Sequence, residues 1–519
     1  MMQRFLASRW FVVLLFAIGM AVRVAGIDQV PPGLNQDEAS IGYDAYALLH
    51  YGIDRNGFHN PVHLVSWGSG QNALYAYLAM PLIWLFGLTP LSLRGVSILF
   101  GLLGLLFFYG AAKKIVDRRF ALVTLFMLVI SPWHIMMSRW ALESNIFPTV
   151  FLMAVYFLLH SAEKKLYLPI SMLLFGAALY AYGTSYFFVP VFLFFITVYS
   201  LKTKWLKSSI EAAFGLALFA AVSIPIFLFV MINKFKLESL DTGLFVVPRL
   251  TGTPRFDDIS TLFSGQLLEQ SLRNLTAFVN LLLNQSDGLL WNAIPGYGLF
   301  YMFGLPFLLL GFGYALRDLF KAEMNKTAVF VIVAWFFSAV LLSFVIKVNI
   351  NRMNILLYPA IFFIANGIWQ LKRWKTWTVY VTIAAFAVQF MLFSHEYFTK
   401  YPAQLSGLFY ESFGEAIQYA SKVAPGDIYI TDKVNMPYIY VLFYERTDPN
   451  EFIRTARYLN PDAPFQMVQS FSRYHFGVSE VSDKENRTYV VPLTESYRFD
   501  PNLFAIQSFK HYLVAVKRP

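Results

Sequence analysis

Long apolar blocks dominate this chain, and short stretches rich in Lys and Arg separate them. Each block runs for roughly 15 to 22 residues, enough for a helix to cross a ~30 Å hydrocarbon layer. Inside such a layer only structures that satisfy their own backbone survive, which makes these blocks α-helices. The spacing predicts helices over about 8–26, 93–112, 120–137, 147–161, 166–182, 186–200, 209–231, 298–315, 327–346, 353–370 and 376–394. Charged residues make up 14% of the chain, against about 25% in a soluble domain. The expected fold class is therefore an α-helical polytopic membrane protein.

One further block, "NALYAYLAMPLIWLFGL" (72–88), decides the topology. If it does not cross, Arg4 and Arg9 and the basic stretches at 113–119, 163–165, 201–207, 317–326 and 371–375 all fall on one side. The positive-inside rule makes that side cytoplasmic. If it does cross, all but the N-terminal pair move outside. A helix of that length reaches only about 25 Å, and Pro81 interrupts it. The block is read as an interfacial or re-entrant helix on the outer face. Eleven spans follow, with the N-terminus cytoplasmic and the C-terminus outside. The first block, flanked by basic residues and without a clear cleavage site, reads as a retained signal anchor. The net charge of +10 is accounted for by these loops, so no nucleic-acid partner is inferred. The chain has no cysteine, which excludes disulfides and thiolate metal sites.

This topology gives a transmembrane domain over 1–394 with two extracytoplasmic loops, 27–92 and 232–297. In the second, "STLFSGQLLEQSLRNLTAFVNLLLNQ" has apolar residues at three- and four-residue spacing, the pattern of an amphipathic helix lying on the membrane. From 395 to 519 the composition becomes that of a soluble extracytoplasmic α/β domain. "SGLFYESFGEAIQYASKV" and "MPYIYVLFYER" read as helices, and "GDIYITD", "TYVVPLT" and "HYLVAVKR" as strands.

The outer ends of the spans collect Asp37, Glu38, Asp44, Arg94, Arg139, Glu143, Lys347 and Arg352. Ionisable groups near a bilayer are costly and mark function by default. The four cations lie on the side that the positive-inside rule disfavours, so an anionic ligand or internal ion pairs must hold them there. The plain reading of "NQDEASIGYDAY" is a helix cap with a solvated neighbour. Arg139 and Glu143 are four apart, a spacing that puts them on one helix face, where they can also form a simple salt bridge.

The carboxylate pair "QDE" (36–38) after the first span, "SRWALES" (138–144) after a later one, Arg94 in "SLRGVSILFG" and an outward C-terminal domain together resemble GT-C superfamily membrane glycosyltransferases. The nearest group is glycosyltransferase family 39, the clan of protein O-mannosyltransferases and aminoarabinose transferases. "SDGLLWNAIPGYGLF" and "NINRMNILLYP" are similar to less specific segments of that clan. One departure stands out. Where the clan has an HPPLGK- or KPP-type element, this chain reads "HLVSWGSGQNALYAYL" and lacks the lysine.

The resemblance implies an inverting hexosyl- or pentosyltransferase that takes its sugar from a polyprenyl-phosphate donor. The acceptor is a protein, a cell-wall polymer or a lipid glycan, and the enzyme is a multi-pass protein of the plasma membrane. Asp37 becomes the general base, tuned by burial and by Glu38 beside it. Arg94, Arg139, Lys347 and Arg352 become the donor-phosphate ligands, with Glu143 and Asp44 in support. No cofactor is assigned. A divalent metal stays open, because His59, His63 and His134 with Asp37 or Glu143 have suitable donor types but no dedicated spacing. The competing class is a lipid or glycan transporter, whose charges gather near the bilayer midplane.

Overall fold

The computed structural model describes residues 9–206, 209–255, 260–261, 266–321, 324–482 and 486–518. Arg4, Lys207 and residues 262–265 of the amphipathic stretch lie outside the described residues. All eleven expected spans fall on helices. Among the described residues, seven helices are long and apolar enough to cross a membrane: Pro90–Ile115, Ser185–Thr203, Ile210–Phe235, Met302–Lys321, Lys326–Val345, Ile350–Arg373 and Thr376–Thr399. Arg9–Val24, Glu143–Leu159 and Tyr167–Ala178 are shorter. The expected 120–137 helix is two helices, Arg118–Ile130 and Pro132–Met137. Pro132 cannot donate to the first helix but suits the opening turn of the second. Ser131 between them caps the second helix through its Oγ.

The chain forms two compact units. The first comprises residues up to 25, 97–227 and 256–399. Small residues allow its helices to approach closely. A Cβ on Gly311 would strike the carbonyl of Phe363, and one on Gly367 the carbonyl of Phe307. Helices Leu305–Lys321 and Leu357–Gln370 therefore cross backbone to backbone, and Asn366 Nδ2 donates to Gly311 O at 2.8 Å across the crossing. The amphipathic stretch forms the helix Leu267–Asn284, with Asn274, Phe278 and Leu281 on its buried side.

The second unit comprises 26–96, 228–255 and 400–519. The helix Gln36–Tyr51 opens with a capping box: Asn35 accepts from the backbone, and Glu38 returns a bond to the Asn35 N–H. Gly52 closes it at φ 75. The helix Leu74–Phe86 runs through Pro81 rather than ending there. Two short hairpins, β1 (His63–Leu64) with β2 (Gln71–Asn72) and β3 (Leu240–Asp241) with β4 (Val246–Val247), precede a seven-stranded sheet. Its strands are β5 (Asp427–Ile430), β6 (Arg457–Tyr458), β7 (Val468–Phe471), β8 (Tyr474–Phe476), β9 (Arg487–Pro492), β10 (Phe504–Ser508) and β11 (Tyr512–Lys517). They lie in the order β10-β11-β9-β5-β8-β7-β6. Strand β5 is parallel to β8 and β9, and the other pairs are antiparallel. Alternate residues of β9 and β11 (Tyr489, Val491, Leu513 and Ala515) pack with Phe499 and Phe504 into a buried cluster. The helices Phe413–Val423 and Pro437–Glu445 and the strands β5, β9 and β11 coincide with the elements read from the tail sequence.

Candidate functional site

In the second unit the acidic segment rests on a buried arginine. Arg94 Nε donates to Glu38 Oε1 at 2.9 Å, and its Nη2 to Glu38 Oε2 at 3.1 Å. The remaining N–H groups donate to the carbonyls of Ile27 (3.0 Å), Pro31 (2.8 Å) and Gly33 (2.8 Å). All five N–H donors of the guanidinium are thus engaged within the protein. In this arrangement Arg94 offers no N–H to a phosphate oxygen. Instead it pins the loop leading into Gln36–Tyr51. Gly33 completes that loop at φ +70, where a Cβ would collide with the carbonyl of Phe409, and Leu34 N donates to the same carbonyl at 2.8 Å.

Asp37 differs from its neighbour. Its backbone N–H donates to Asn35 Oδ1 at 2.9 Å, yet its half-buried carboxylate accepts no hydrogen bond and pairs with no cation among the described residues. The charge of Glu38 is taken up by Arg94. Of the acids that open the segment, Asp37 therefore keeps its oxygens available.

Asp44 lies two turns further along the helix, in a buried polar cluster that the sequence reading did not anticipate. Arg55 N donates to Asp44 Oδ1 at 3.2 Å, and Arg55 Nη1 stands 3.7 Å from Asp44 Oδ2. Arg55 Nη2 donates to Ser40 Oγ (2.8 Å) and Ser66 Oγ (3.1 Å), and its guanidinium lies 4.7 Å from the centre of the Trp67 ring. Ser40 also donates to Gln71 Oε1 at 3.1 Å. Asp54, buried beside this group, accepts from the N–H groups of Asn56 and Phe58. Asp44 Oδ2, Asp54 Oδ2, Arg55 Nε and Gln71 Nε2 are buried with no hydrogen-bond partner in the protein. Burial raises the Asp54 carboxyl to about 7, and the Asp44 charge adds to the rise. Burial opposes the charge on Arg55, but its neighbours, Asp44 first among them, more than offset it, so the guanidinium stays ionised. Burial, before any other cause, also raises the Asp44 carboxyl. The one sequence signal was the charged pair Asp54–Arg55 in "YGIDRNGFHN", which reads as an ordinary solvated turn.

In the first unit, three segments meet at one end of the helices. Trp133 N and Ser131 Oγ both donate to Leu299 O at 3.1 Å, and Tyr301 OH donates to Ile130 O at 2.7 Å. Asn354 Nδ2 donates to Ser144 O at 2.6 Å, and Ile350 N to Asp287 Oδ2 at 3.0 Å. The segments 131–145, 285–301 and 346–354 are thus tied together by hydrogen bonds. Arg139 lies here in a turn. It donates to Val22 O at 3.2 Å and lies over the rings of Tyr397 (5.6 Å) and Phe398 (5.2 Å). Glu143 is buried at the start of the next helix, so Arg139 and Glu143 do not share a helix, contrary to the one-face spacing. Ser97 Oγ and Asn145 Nδ2 both donate to Trp140 O in between, which fixes the break.

Lys347 is exposed, and its carbonyl accepts from Arg352 Nη1 at 2.9 Å. Neither the Lys347 ammonium nor the rest of the Arg352 guanidinium has a side-chain partner among the described residues. The histidines are dispersed. His59 pairs with Asp241 at 3.1 Å, and His63 stacks on Phe229. His134 bridges Arg23 and Tyr358 at 2.6 and 3.0 Å. Among the described residues no three His, Asp or Glu side chains gather in a metal-holding group. The structure brings Asp37, Glu38, Asp44 and Arg94 into one unit, while Arg139, Glu143, Lys347 and Arg352 belong to the other.

Residues 72–229 match the family described as dolichyl-phosphate-mannose-protein mannosyltransferase. A search of the curated proteins finds no match to the sequence. Among solved structures, ArnT from Cupriavidus metallidurans in the apo state aligns over 98% of both chains with a TM-score of 0.58 at 14% identity. The same protein bound to undecaprenyl phosphate aligns over 98% of both chains with a TM-score of 0.59 at 13% identity. The apo oligosaccharyltransferase of Archaeoglobus fulgidus aligns over 84% of this chain and 63% of its own, with a TM-score of 0.50 at 11% identity. Along its whole length the chain shares the fold of these solved membrane proteins, and residues 72–229 are similar to the mannosyltransferase family.

Proposed function

We propose that this protein transfers a sugar from a polyprenyl-phosphate-linked donor to an acceptor hydroxyl at the outer membrane face, with Asp37 as general base. One observation carries the assignment of the base. In the acidic segment, Asp37 alone keeps its carboxylate clear of partners, while Glu38 and Arg94 hold the helix that presents it. Asp37 takes the proton of the acceptor O–H as the new C–O bond forms at the anomeric carbon. The bond from that carbon to the phosphate oxygen breaks in the same step, which inverts the centre and leaves a polyprenyl phosphate. The unpaired cationic groups of Lys347 and Arg352 suit the negative charge that develops on that phosphate. Arg139 and Glu143, at the same end of the first unit, support them. The donor class is favoured by the binding of undecaprenyl phosphate to ArnT. The outward orientation rests on the one-sided distribution of basic loops. In the same reading the tail 395–519 is the extracytoplasmic domain.

The test is transfer from a radiolabelled polyprenyl-phosphate sugar by the purified full chain, compared with Asp37→Asn. Transfer at the wild-type rate by a folded variant removes Asp37 as base. Absence of transfer by the wild type across donors, with vectorial movement of the intact lipid instead, supports the transporter reading.

A further inference from the structure

At the opposite end of the first unit, away from the segments 131–145 and 346–354, a groove of about 560 Å³ opens between helices Arg9–Val24, Arg118–Ile130 and Thr376–Thr399. The helix Arg118–Ile130 separates the two ends by about 20 Å at 1.5 Å per residue. The mouth of the groove carries Arg119 and Lys372, both exposed. Neither forms a hydrogen bond or an ion pair among the described residues. Lys372 Nζ rests 3.8 Å from the centre of the Trp369 ring, an aromatic face that orders the ammonium without neutralising it. Asp117 also lines the mouth, where its charge acts on Lys372 while one of its oxygens caps the helix at Phe120 N, 2.8 Å away. Deeper in, the walls are apolar, with Phe11, Phe126, Tyr380 and Ile383 among them.

Two cations against one carboxylate leave the mouth net positive above an apolar slot, which makes an amphipathic receptor. A free phosphate uses only the mouth, and a zwitterionic lipid brings a cation of its own to the mouth. A sugar carrier would need the polar groups found at the other end. The volume falls in the range of small-ligand pockets, and basic pockets between membrane helices select anionic headgroups. We propose that this groove binds an anionic glycerophospholipid, with its phosphate on Arg119 and Lys372 and an acyl chain against Phe126, Tyr380 and Ile383.

The experiment is native mass spectrometry of the full chain released from nanodiscs containing equal amounts of phosphatidylglycerol and phosphatidylcholine with matched acyl chains. The wild type is expected to retain phosphatidylglycerol with about tenfold preference. The double variant Arg119→Gln, Lys372→Gln loses the preference. Ile383→Trp, which fills the slot and leaves both charges, lowers retention of phosphatidylglycerol. Thermal melting identifies variants that are merely unfolded, and Arg119→Lys restores the preference if charge is what matters. Equal retention of both lipids by the wild type, or a preference that survives both variants, overturns the proposal. So does complete displacement of the lipid by inorganic phosphate at matched ionic strength, which would make the occupant a free anion.

Discussion

Arg94 grips Glu38 through two of its N–H groups, at 2.9 and 3.1 Å, in a pair that is almost wholly buried. The same guanidinium holds three carbonyls of the loop before Asp37. Removing one partner strands a charge away from water, at a cost of about 3 to 5 kcal/mol. Arg94→Ala is therefore expected to lower the melting temperature sharply and to cut activity only as the fold is lost. Melting curves of Arg94→Ala and of the double variant Arg94→Ala, Glu38→Ala test this. If the pair is structural, the double variant is no worse than the single one, because neither charge is left alone.

Asp37→Asn should behave in the opposite way. Its carboxylate makes no bond within the described structure, so the melting temperature is expected to stay within about a degree. The proton acceptor is lost, so transfer should fall by about a hundredfold or more. A large drop in stability, or transfer near the wild-type rate, would show that the side chain has another role.

Much of the framework was legible in the sequence because it depends on local periodicity. Apolar blocks become helices whatever they pack against, and alternation marks the strands of the tail. The roles of single charged residues were not legible, because they depend on partners far along the chain. Arg94 looks like any cation at a span end until the fold brings it to Glu38, 56 residues away. Arg139 and Glu143 have helical spacing, but Ser97 and Asn145 hold the Trp140 carbonyl and interrupt the helix between them, and no Gly or Pro announces the break. Asp54 and Arg55, which no pattern in the sequence singles out, are buried, with Arg55 held against Trp67 and Ser66. Asp37, by contrast, was singled out from its position after the first span, and its accessible carboxylate is compatible with that reading.

Lys347 and Arg352 form a pair of cations with little internal work to do, apart from the single bond from Arg352 to the Lys347 carbonyl. Replacing either with Gln should leave stability within about 0.5 kcal/mol, as for surface changes in general. If they hold the donor phosphate, each loses a charge-assisted contact of about 1.5 to 3 kcal/mol. The Michaelis constant for the lipid donor should then rise between about tenfold and a hundredfold, and the salt dependence of donor binding should weaken. Kinetics over a range of donor and salt concentrations would reveal this. An unchanged constant in both variants would move the phosphate contact to Arg139 or elsewhere.

The buried acids near Arg55 make stability depend on pH in a direction opposite to that of most carboxylates. Burial first, and the charge of Asp44 second, raise Asp54 to about 7 in the folded chain, against about 3.9 for a free side chain. The folded state therefore holds this proton more tightly than the unfolded state. The resulting stabilisation is full below about pH 4 and is lost as pH rises through about 7, by at most about 4 kcal/mol over the whole window. Asp54→Asn keeps an Oδ1 acceptor for the N–H groups of Asn56 and Phe58 but has no proton to lose. Between pH 5 and pH 8 the wild type should lose melting temperature relative to this variant, so that the two curves converge or cross towards the alkaline end. Parallel curves would mean that Asp54 is ionised across the range and that burial does not hold its proton.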